Sequence, residues 1–328
     1  MTTGALDLFR LAETLRASRG IAAKADIATA ARRLGLGAST VIPVGDDCAA
    51  LPDGDGYTLL AIEGFMNEFV AGDPWFAGWC GVMVNVSDVA AMGGRPIAVV
   101  DALWARDQEN AGAILDGMKA ASERFGVPIV GGHTNLKTDR AQLSVAILGR
   151  AKRLLTSFHA KPGDRLLAAV DLRGRYREPF SNWEAATDAP AERLRADLEL
   201  LPRIAEAGLA CAAKDISQGG IVGTAAMLAE CSDVAVTIDV TAVPKPAGVS
   251  PDRWLLTFPS FGYLIAASRE DTAAILDLFA ARDIAVADIG GITVGNTVSI
   301  TDGVSSEMIW DLGARPLLGF GPAKGCAW

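Results

Sequence analysis

Apolar residues along the chain alternate between the period of a strand and the period of a helix. In the first half this pattern predicts, in order, a helical lead at residues 5–35 broken at Gly20, a strand from Tyr57, a long apolar helix at 75–92, a strand at 97–104, a helix at 109–125, and strands at 127–130 and 142–148. Strands that alternate with helices in this way predict an α/β or α+β domain.

The second half repeats this alternation after a break at Pro162 and Gly163. The pattern there predicts, in order, a strand at 166–172, a helix at 191–207, the loop KDISQGG opening a helix at 221–230, strands at 234–240, 254–258 and 262–268, a helix at 271–282 and an extended run at 286–300. Because a single core rarely exceeds about 250–300 residues, we expect two domains, at 1–150 and 151–328, with the boundary near Arg150.

Charge and composition narrow the partners. Acidic residues outnumber basic ones by 39 to 30, and no dense run of Lys or Arg is present, so nucleic acid is not an expected partner. No uncharged apolar stretch reaches the roughly 18 residues that a membrane span needs. The N-terminal pattern carries Asp7, Arg10 and Glu13 and so lacks a signal-peptide core. With five scattered cysteines and no CxxC pair, the sequence favours a soluble protein of the reducing cytoplasm.

Short acidic or glycine-rich motifs separate the apolar elements. They are VGDDCA at Val44, AIEG at Ala61, VNVSDVAAMGGRP at Val84, GGHTN at Gly131 and KDISQGG at Lys214. Mg²⁺ prefers hard oxygen ligands and binds through a few carboxylates together with substrate phosphates. Several separate acids that converge around a nucleotide would provide such a site.

Two of these motifs place carboxylates beside glycine. Asp46 and Asp47 follow Gly45 and would repel each other unless a cation or a helix N-terminus neutralised them, although a solvated turn is an alternative. Glu63 ends an apolar strand before Gly64, a common location for a ligand, although an exposed strand-end acid explains it equally well.

The long apolar helix contains Asp88, a carboxylate that needs a partner if it is buried. Asn85 lies three residues earlier on the same face and could share its target, or the two could form a satisfied polar pair of the core. Arg95 follows the glycines that stop this helix, and a structural role suffices for it.

GGHTN directly follows an apolar strand, so we interpret it as a loop for a phosphate or a Mg²⁺-bound water. Gly131 and Gly132 allow close backbone approach, while Thr134 and Asn135 supply uncharged hydrogen-bonding groups. His133 is a candidate catalytic residue, and a structural hydrogen bond is its alternative.

In KDISQGG, Asp215 is the other candidate catalytic acid, placed before a helix that begins at a double glycine. Ser217 fits an anion site or an ordinary helix N-cap. Cys48 and Cys80 are most simply small core residues. The sequence contains no Walker A motif, no GxGxxG after a strand and no GxSxG, which disfavours the common nucleotide folds and the serine hydrolases.

Taken in order, GDDCA, the acid–Gly strand end, NVSDVAAMGGRP, GGHT and DISQGG resemble the superfamily of aminoimidazole ribonucleotide (AIR) synthetase, thiamine monophosphate kinase, selenophosphate synthetase and the hydrogenase maturation dehydratase. The stretches VNVSDVAAMGGRPIAVVDALW and FPSFGYL are most similar to its AIR synthase-related group. The resemblance covers most of the chain.

The resemblance implies a two-domain AIR synthetase-like fold, with an N-terminal domain whose strands form a dimeric β-barrel and a C-terminal α/β sandwich. It implies a homodimer, ATP and Mg²⁺ as cofactors, and a small-molecule acceptor substrate. Its metal-binding positions are Asp46, Asp47, Glu63, Asp88 and Asp215 of this sequence, and Asp46, Asn85, Asp88, Gly131, Gly132 and Thr134 would contact the nucleotide.

Departures from the thiamine monophosphate kinase pattern bear on the acceptor. Glu63 and His133 stand where that kinase has Asp, and Gln218 replaces the acid of its DxSDG. No Cys precedes Cys48, unlike in the selenium enzyme, and Cys326 is followed by Ala327 and Trp328, unlike the terminal Cys of the hydrogenase protein.

The first functional hypothesis is an ATP-dependent enzyme that transfers a phosphoryl group to a small-molecule oxygen acceptor or activates that acceptor. The alternatives are a nucleotide-binding maturation or accessory protein without turnover, and a thiamine monophosphate kinase.

Overall fold

A computed structural model of the chain describes residues 6–36 and 44–320, which group into two units. The five-stranded unit comprises residues 47–154 and 186–206, and the seven-stranded unit comprises the described parts of residues 1–46, 155–185 and 207–328. Each is a mixed α/β unit. The segment at 37–43 and Cys326 lie outside the described residues.

The helices are α1 (Leu8–Arg16), α2 (Arg19–Ala22), α3 (Ala25–Leu34), α4 (Asn67–Gly72), α5 (Pro74–Ala91), α6 (Gln108–Phe125), α7 (Ala191–Leu198), α8 (Leu200–Ala207), α9 (Gly220–Ser232), α10 (Pro251–Leu255) and α11 (Thr272–Ala280). The strands are β1 (Ala49–Asp53), β2 (Gly56–Gly64), β3 (Arg95–Trp104), β4 (Ile129–Asn135), β5 (Gln142–Ala151), β6 (Arg165–Val170), β7 (Arg175–Tyr176), β8 (Asn182–Glu184), β9 (Ala212–Asp215), β10 (Ala235–Asp239), β11 (Phe258–Pro259), β12 (Gly262–Ala267), β13 (Ala285–Thr293), β14 (Thr297–Thr301) and β15 (Ser306–Asp311).

Helix α5 is the central helix of the five-stranded unit. It begins at Asp73, whose side chain accepts the Phe76 N–H at 3.2 Å, and Pro74 fits its first turn. A Cβ on Gly78 would overlap the Ile114 carbonyl oxygen, so this glycine lets α5 and α6 approach closely. About one turn further along, a Cβ on Gly81 would lie 2.8 Å from Val145 Cγ2 in β5. The helix is therefore packed between α6 and the sheet.

The sheet of this unit has the order β1-β2-β5-β3-β4, with β3 and β4 parallel and the other pairs antiparallel. It is an open sheet whose edges are β1 and β4, so the described residues form no closed barrel within one chain. GGHTN, interpreted from the sequence as a loop, continues β4 instead. Its residues pair with Val100–Trp104 of β3, and the missing side chains of Gly131 and Gly132 are tolerated because β4 is an edge strand.

One face of this sheet is not covered by helices of the unit. Leu60 and Leu148 are paired across β2 and β5, and Ile62 and Val100 flank Ala146 in the next row. These four apolar side chains are 39–69% exposed. Alternation along each strand sends the neighbouring residues to the covered face.

The segment at 186–206 completes the five-stranded unit. The Arg95 guanidinium forms ion pairs with Glu199 at 2.9 Å and Glu206 at 2.7 Å, which gives it the structural role expected from the sequence. Arg195 donates to the backbone carbonyls of Glu123 and Arg124 at the end of α6. These contacts place α7 and most of α8 in this unit, although they lie beyond the boundary near Arg150 that the sequence suggests.

The seven-stranded unit contains a sheet of order β15-β14-β10-β13-β6-β12-β9. Every residue of β9 and β12 is buried, and so is α9 from Gly220 to Cys231. The N-terminal helices belong to this unit as well, since Leu8, Leu11 and Leu15 of α1 lie in its hydrophobic core. The helical lead therefore belongs to the seven-stranded unit, whereas the boundary expected near Arg150 groups it with the first domain.

Two predicted elements differ in kind or extent. The run from Trp254, predicted as a strand, is mainly the short helix α10, where Trp254 and Leu255 are buried and Pro251 starts the first turn. The helical lead is interrupted at residues 17–18 and 23–24 and not at Gly20, which lies inside α2. Ser18 caps α2 by accepting the Ile21 N–H. No helix among the described residues is long and apolar enough to cross a membrane.

Candidate functional site

Two carboxylates of the five-stranded unit, those of Asp47 and Asp88, come together. Asp88 is 5% exposed in the last turns of α5, and a carboxylate oxygen of each residue lies within 4.8 Å of one of the other. Two carboxylates at this separation repel each other unless positive charge lies close by. The pair offers hard oxygen atoms of the kind that Mg²⁺ prefers.

Asn85 lies one turn before Asp88 and is fully buried. Its Nδ2 donates to the carbonyl oxygens of Gly81 at 2.8 Å and Val145 at 3.0 Å, so the amide nitrogen links α5 to β5. Its Oδ1 is buried without a hydrogen-bond partner within the described chain. Asn85 therefore retains one free acceptor on the side-chain amide.

The strand register aligns Glu63 with this region. Glu63 pairs with Val145, which in turn pairs with Asp101 of β3, and Asp101 pairs with Gly132 of β4. Directly paired residues point to the same face of a sheet, so this row lies on the face that α5 covers. The two carboxylates of the row are separated by one strand, or roughly 10 Å.

Asp101 was not singled out by its sequence context, an apolar run. Burial raises the pKa of its carboxyl group, and Oδ2 is buried without a partner in the part of the chain that the structure describes. A Cβ on Gly132 would overlap Asp101 Oδ1, so glycine at position 132 makes room for this carboxylate. Two unsatisfied acceptors, Asn85 Oδ1 and Asp101 Oδ2, thus belong to residues that contact or pair with Val145.

The remaining residues of GGHTN lie on an exposed edge. Gly131, His133 and Thr134 are exposed in β4, and the His133 ring lies 6.0 Å from the Trp104 ring between centroids. The backbone of β4 faces β3 on one side only. His133 is therefore accessible, in keeping with either alternative proposed for it.

In the seven-stranded unit, Asp46 is held firmly by its neighbours. Its carboxylate accepts the Ser157 N–H at 2.7 Å and the Ser157 hydroxyl at 2.6 Å, and Lys214 Nζ lies 3.9 Å away. The side chain is 1% exposed. The contacts of Asp46 with Ser157 and Lys214 could not be predicted from local patterns, because both partners are distant along the chain.

Asp215 ends the buried strand β9 and is 2% exposed. The Ser217 hydroxyl accepts from Lys24 Nζ at 3.2 Å, and the N-cap of α9 is Gly219 and not Ser217. Gly220 has a φ of 64°, and a Cβ there would overlap the Leu255 carbonyl oxygen. The double glycine is thus required by backbone geometry, and the N-cap alternative for Ser217 is wrong.

The prediction that Cys48 and Cys80 are small core residues is confirmed. Cys48 and Cys80 are buried and unbonded to other cysteines, as are Cys231 in α9 and the exposed Cys211. These residues supply no disulfide to the described structure.

Comparison with known proteins identifies the family. The N-terminal domain profile of AIR synthase related proteins matches residues 45–151, and the profile of their C-terminal domain matches residues 166–303. The chain belongs to the AIR synthase-related proteins. The profiles begin just before Asp46 and span every acidic motif discussed above.

Within this family, an uncharacterised protein of Synechocystis sp. is 47% identical over 312 residues, which cover 93% of this chain and 96% of that protein. A thiamine-monophosphate kinase of Pyrococcus horikoshii is 29% identical over 61% of this chain and 67% of the kinase. PurL of T. maritima in complex with ATP has a similar fold, with a TM-score of 0.71 and 19% identity over 84% of this chain. The chain spans 46% of that PurL chain.

Proposed function

We propose that this AIR synthase-related protein is a Mg²⁺-dependent, ATP-binding enzyme that transfers a phosphoryl group to a small-molecule oxygen acceptor or activates that acceptor. The observation that carries the proposal is the Asp47–Asp88 pair, whose carboxylate oxygens lie within 4.8 Å. A triphosphate carries several negative charges and would be repelled by this pair without divalent cations between them. Similarity to a kinase and to an ATP-complexed PurL supports the nucleotide.

In this proposal Asp47 and Asp88 hold the metal ion directly, and Glu63 and Asp215 add further carboxylates. Bound Mg²⁺ would neutralise charge on the phosphates during transfer. Asp46 is the remaining member of the set, and its hydrogen bonds to Ser157 keep the GDD backbone in place.

Nucleotide contacts and proton transfer are proposed for the other candidates. Asn85, through its free Oδ1, accepts a hydrogen bond from the nucleotide or a metal-bound water. Gly131, Gly132 and Thr134 border the phosphates, and His133 and Asp215 are the candidate catalytic residues for the acceptor.

The uncovered apolar face supports a homodimer built through the five-stranded unit. Four apolar side chains on this face are 39–69% exposed, and β4 presents an unpaired edge. A second copy that covers the face and joins the sheet edges into a barrel would remove both features.

The proposal is tested by thermal unfolding with ATP, with and without Mg²⁺. We expect Mg²⁺·ATP to raise the melting temperature by several degrees, since ligand at a hundred times its Kd adds about 2.7 kcal/mol of stability. ATP with chelator should give no shift. Asp88→Asn should abolish the shift while leaving the apo protein folded, and Asp139→Asn, at a 91% exposed acid, is the matched control.

An equal shift with chelator present, or a wild-type response of Asp88→Asn, would show that the acidic set is structural. Phosphate- and ADP-release assays over a panel of small phosphorylated, hydroxyl and amide compounds then separate an enzyme from an accessory protein, which would bind ATP without acceptor-stimulated release. Thiamine monophosphate belongs in the panel. We expect it to be a poor substrate because His133 and Gln218 replace acids of the kinase pattern.

A further inference from the structure

The last turn of α9 holds separate segments of the seven-stranded unit together. The Glu230 carboxylate, 9% exposed, accepts the backbone N–H groups of Leu317 at 3.1 Å, Leu318 at 2.5 Å and Gly319 at 2.9 Å. Successive N–H groups that converge on a carboxylate form a strong anion-binding arrangement. The segment Leu317–Phe320, which we name the C-terminal clasp, is therefore fixed by one buried acid.

Only part of the clasp is packed into the core of the unit. A cavity of about 270 Å³ lies against it, lined in part by Glu230, Asn296, Pro316 and Phe320. Leu317 and Leu318 are buried in the core, but Phe320 at the end of the clasp is only partly buried. Packing into the core therefore does not account for the whole position of the Phe320 ring.

The Phe320 ring lies beside Gly45, directly before Asp46 and Asp47. Gly45 has a φ of 122°, and a Cβ at this position would lie 2.5 Å from Phe320 Cδ2. Cys231 Sγ, next to Glu230 in α9, lies 3.9 Å from the Gly45 carbonyl oxygen. The peptide that leads into Asp46 is in this way bounded by the Phe320 ring and by α9.

The same helix turn also reaches the residue that holds Asp46. The Ser232 hydroxyl donates to the Ser157 carbonyl at 2.7 Å and accepts the Ala160 N–H at 3.0 Å. Ser157 in turn donates two hydrogen bonds to Asp46. Three successive residues at the end of α9 therefore contact the surroundings of Asp46. Glu230 holds the clasp, Cys231 lies beside the Gly45 carbonyl, and Ser232 binds the Ser157 carbonyl.

We propose that Phe320 and Glu230 are positioning residues of the metal–nucleotide site, which they support by holding Gly45 and so the backbone of Asp46 and Asp47. The inference rests on the proposed function of this site. Mutation of residues that orient metal ligands without touching the metal typically lowers metal affinity or activity by about 10–100-fold.

The test measures the Kd of Mg²⁺·ATP by calorimetry and the melting temperature of the apo protein for each variant. Phe320→Ala should weaken binding about 10–100-fold while changing the apo melting temperature little, because the ring is only partly buried. Phe320→Tyr keeps the ring and should bind like wild type. Glu230→Gln, which weakens the hold on the clasp, should also weaken binding.

Leu318→Ala is the matched control, since Leu318 lies in the same clasp, is 2% exposed and packs into the core. It should lower the melting temperature and leave the Kd unchanged well below that temperature. Wild-type affinity in Phe320→Ala, or an equal loss in Leu318→Ala, overturns the inference. If the wild-type protein itself does not bind Mg²⁺·ATP, the proposed function fails, and the inference fails with it.

Discussion

The two large sheets of this protein differ in how much of their apolar surface is buried within the chain. In the seven-stranded sheet the strands β9 and β12 are buried along their whole length. In the five-stranded sheet, α5 covers one face, while Leu60, Ile62, Val100 and Leu148 remain 39–69% exposed on the other. Contiguous apolar surface of this kind is typical of interaction sites. The five-stranded sheet therefore presents an apolar face that the proposed second copy would cover.

The two units also contain buried oxygen acceptors with different surroundings. Asp46 and Glu230 of the seven-stranded unit are each met by backbone N–H groups. In the five-stranded unit, Asp101 Oδ2 and Asn85 Oδ1 have no partner within the described residues. Unsatisfied buried acceptors are costly and concentrate at functional sites. The five-stranded unit thus has two buried acceptors that a ligand or water could use.

The largest effect is expected from a charge on the uncovered face. Ile62→Asp should convert a dimer to a monomer, raising its dissociation constant by more than about a hundredfold, because an unpaired charge in an apolar interface costs several kcal/mol. Sedimentation velocity at micromolar concentration measures the mass. Val294→Asp, at a position 85% exposed in the seven-stranded unit, should not change it. A wild-type monomer would break the comparison.

A smaller effect is expected where residues 186–206 complete the five-stranded unit. Arg95→Gln removes two ion pairs whose side chains are 29–40% exposed, so we expect a loss of roughly 1 kcal/mol after solvent screening. The hydrogen bond from Arg95 lowers the pKa of Glu206. The stability that this ion pair contributes is present above the ordinary carboxyl pKa. It is lost as pH falls through the pKa that Glu206 has in the folded protein.

Urea unfolding of wild type and Arg95→Gln as a function of pH measures this difference, which should shrink in acid. Arg95→Lys is the companion variant, because a single ammonium cannot reproduce the bidentate contact with Glu199. A constant difference at all pH values would mean that the Arg95 side chain acts by packing and not by charge.

The smallest effect is expected at Asp101. Desolvation raises the pKa of its carboxyl group in the folded state. The folded state therefore holds the proton more tightly than the unfolded state, and stability is lost as pH rises from the unfolded pKa through the folded one. Asp101→Asn should be more stable than wild type at neutral pH, and this advantage should disappear in acid.

Thermal melts of both proteins from acidic to neutral pH measure the trend. Asp139→Asn, at an exposed acid, is the control and should show no such trend. An Asp101→Asn protein that is less stable than wild type at neutral pH would show that the ionised carboxylate has a stabilising partner.

The sequence predicted the elements whose patterns are long. The helix at 75–92 and the strand at 97–104 correspond closely to α5 and β3, because an extended apolar run has few alternatives. The run at Trp254 was predicted as a strand, since short apolar runs do not distinguish a strand from a buried helical turn. The family resemblance is confirmed by both domain profiles.

The candidate site was predictable only in part. Acids beside glycine or inside an apolar helix are visible in the sequence, and the structure brings Asp47 and Asp88 together. Asp101 was missed because an isolated acid in a strand has no distinguishing context, and only the register places it beside Val145 and Gly132. Similarly, the Ser157 contact to Asp46 joins residues too far apart in the chain for any local pattern to reveal.

The late segment at 186–206 has a consequence for synthesis. The strands of the five-stranded sheet are all made by residue 151, yet Arg95 receives its partners Glu199 and Glu206 only after the ribosome has passed residue 206. Because synthesis proceeds at about 5–20 residues per second, the segment at 186–206 follows the last strand of the sheet by several seconds. During that interval its helices lack their final cover, and β6 to β8 of the other unit emerge before the first unit is finished. Neither unit can complete its fold before the other has begun.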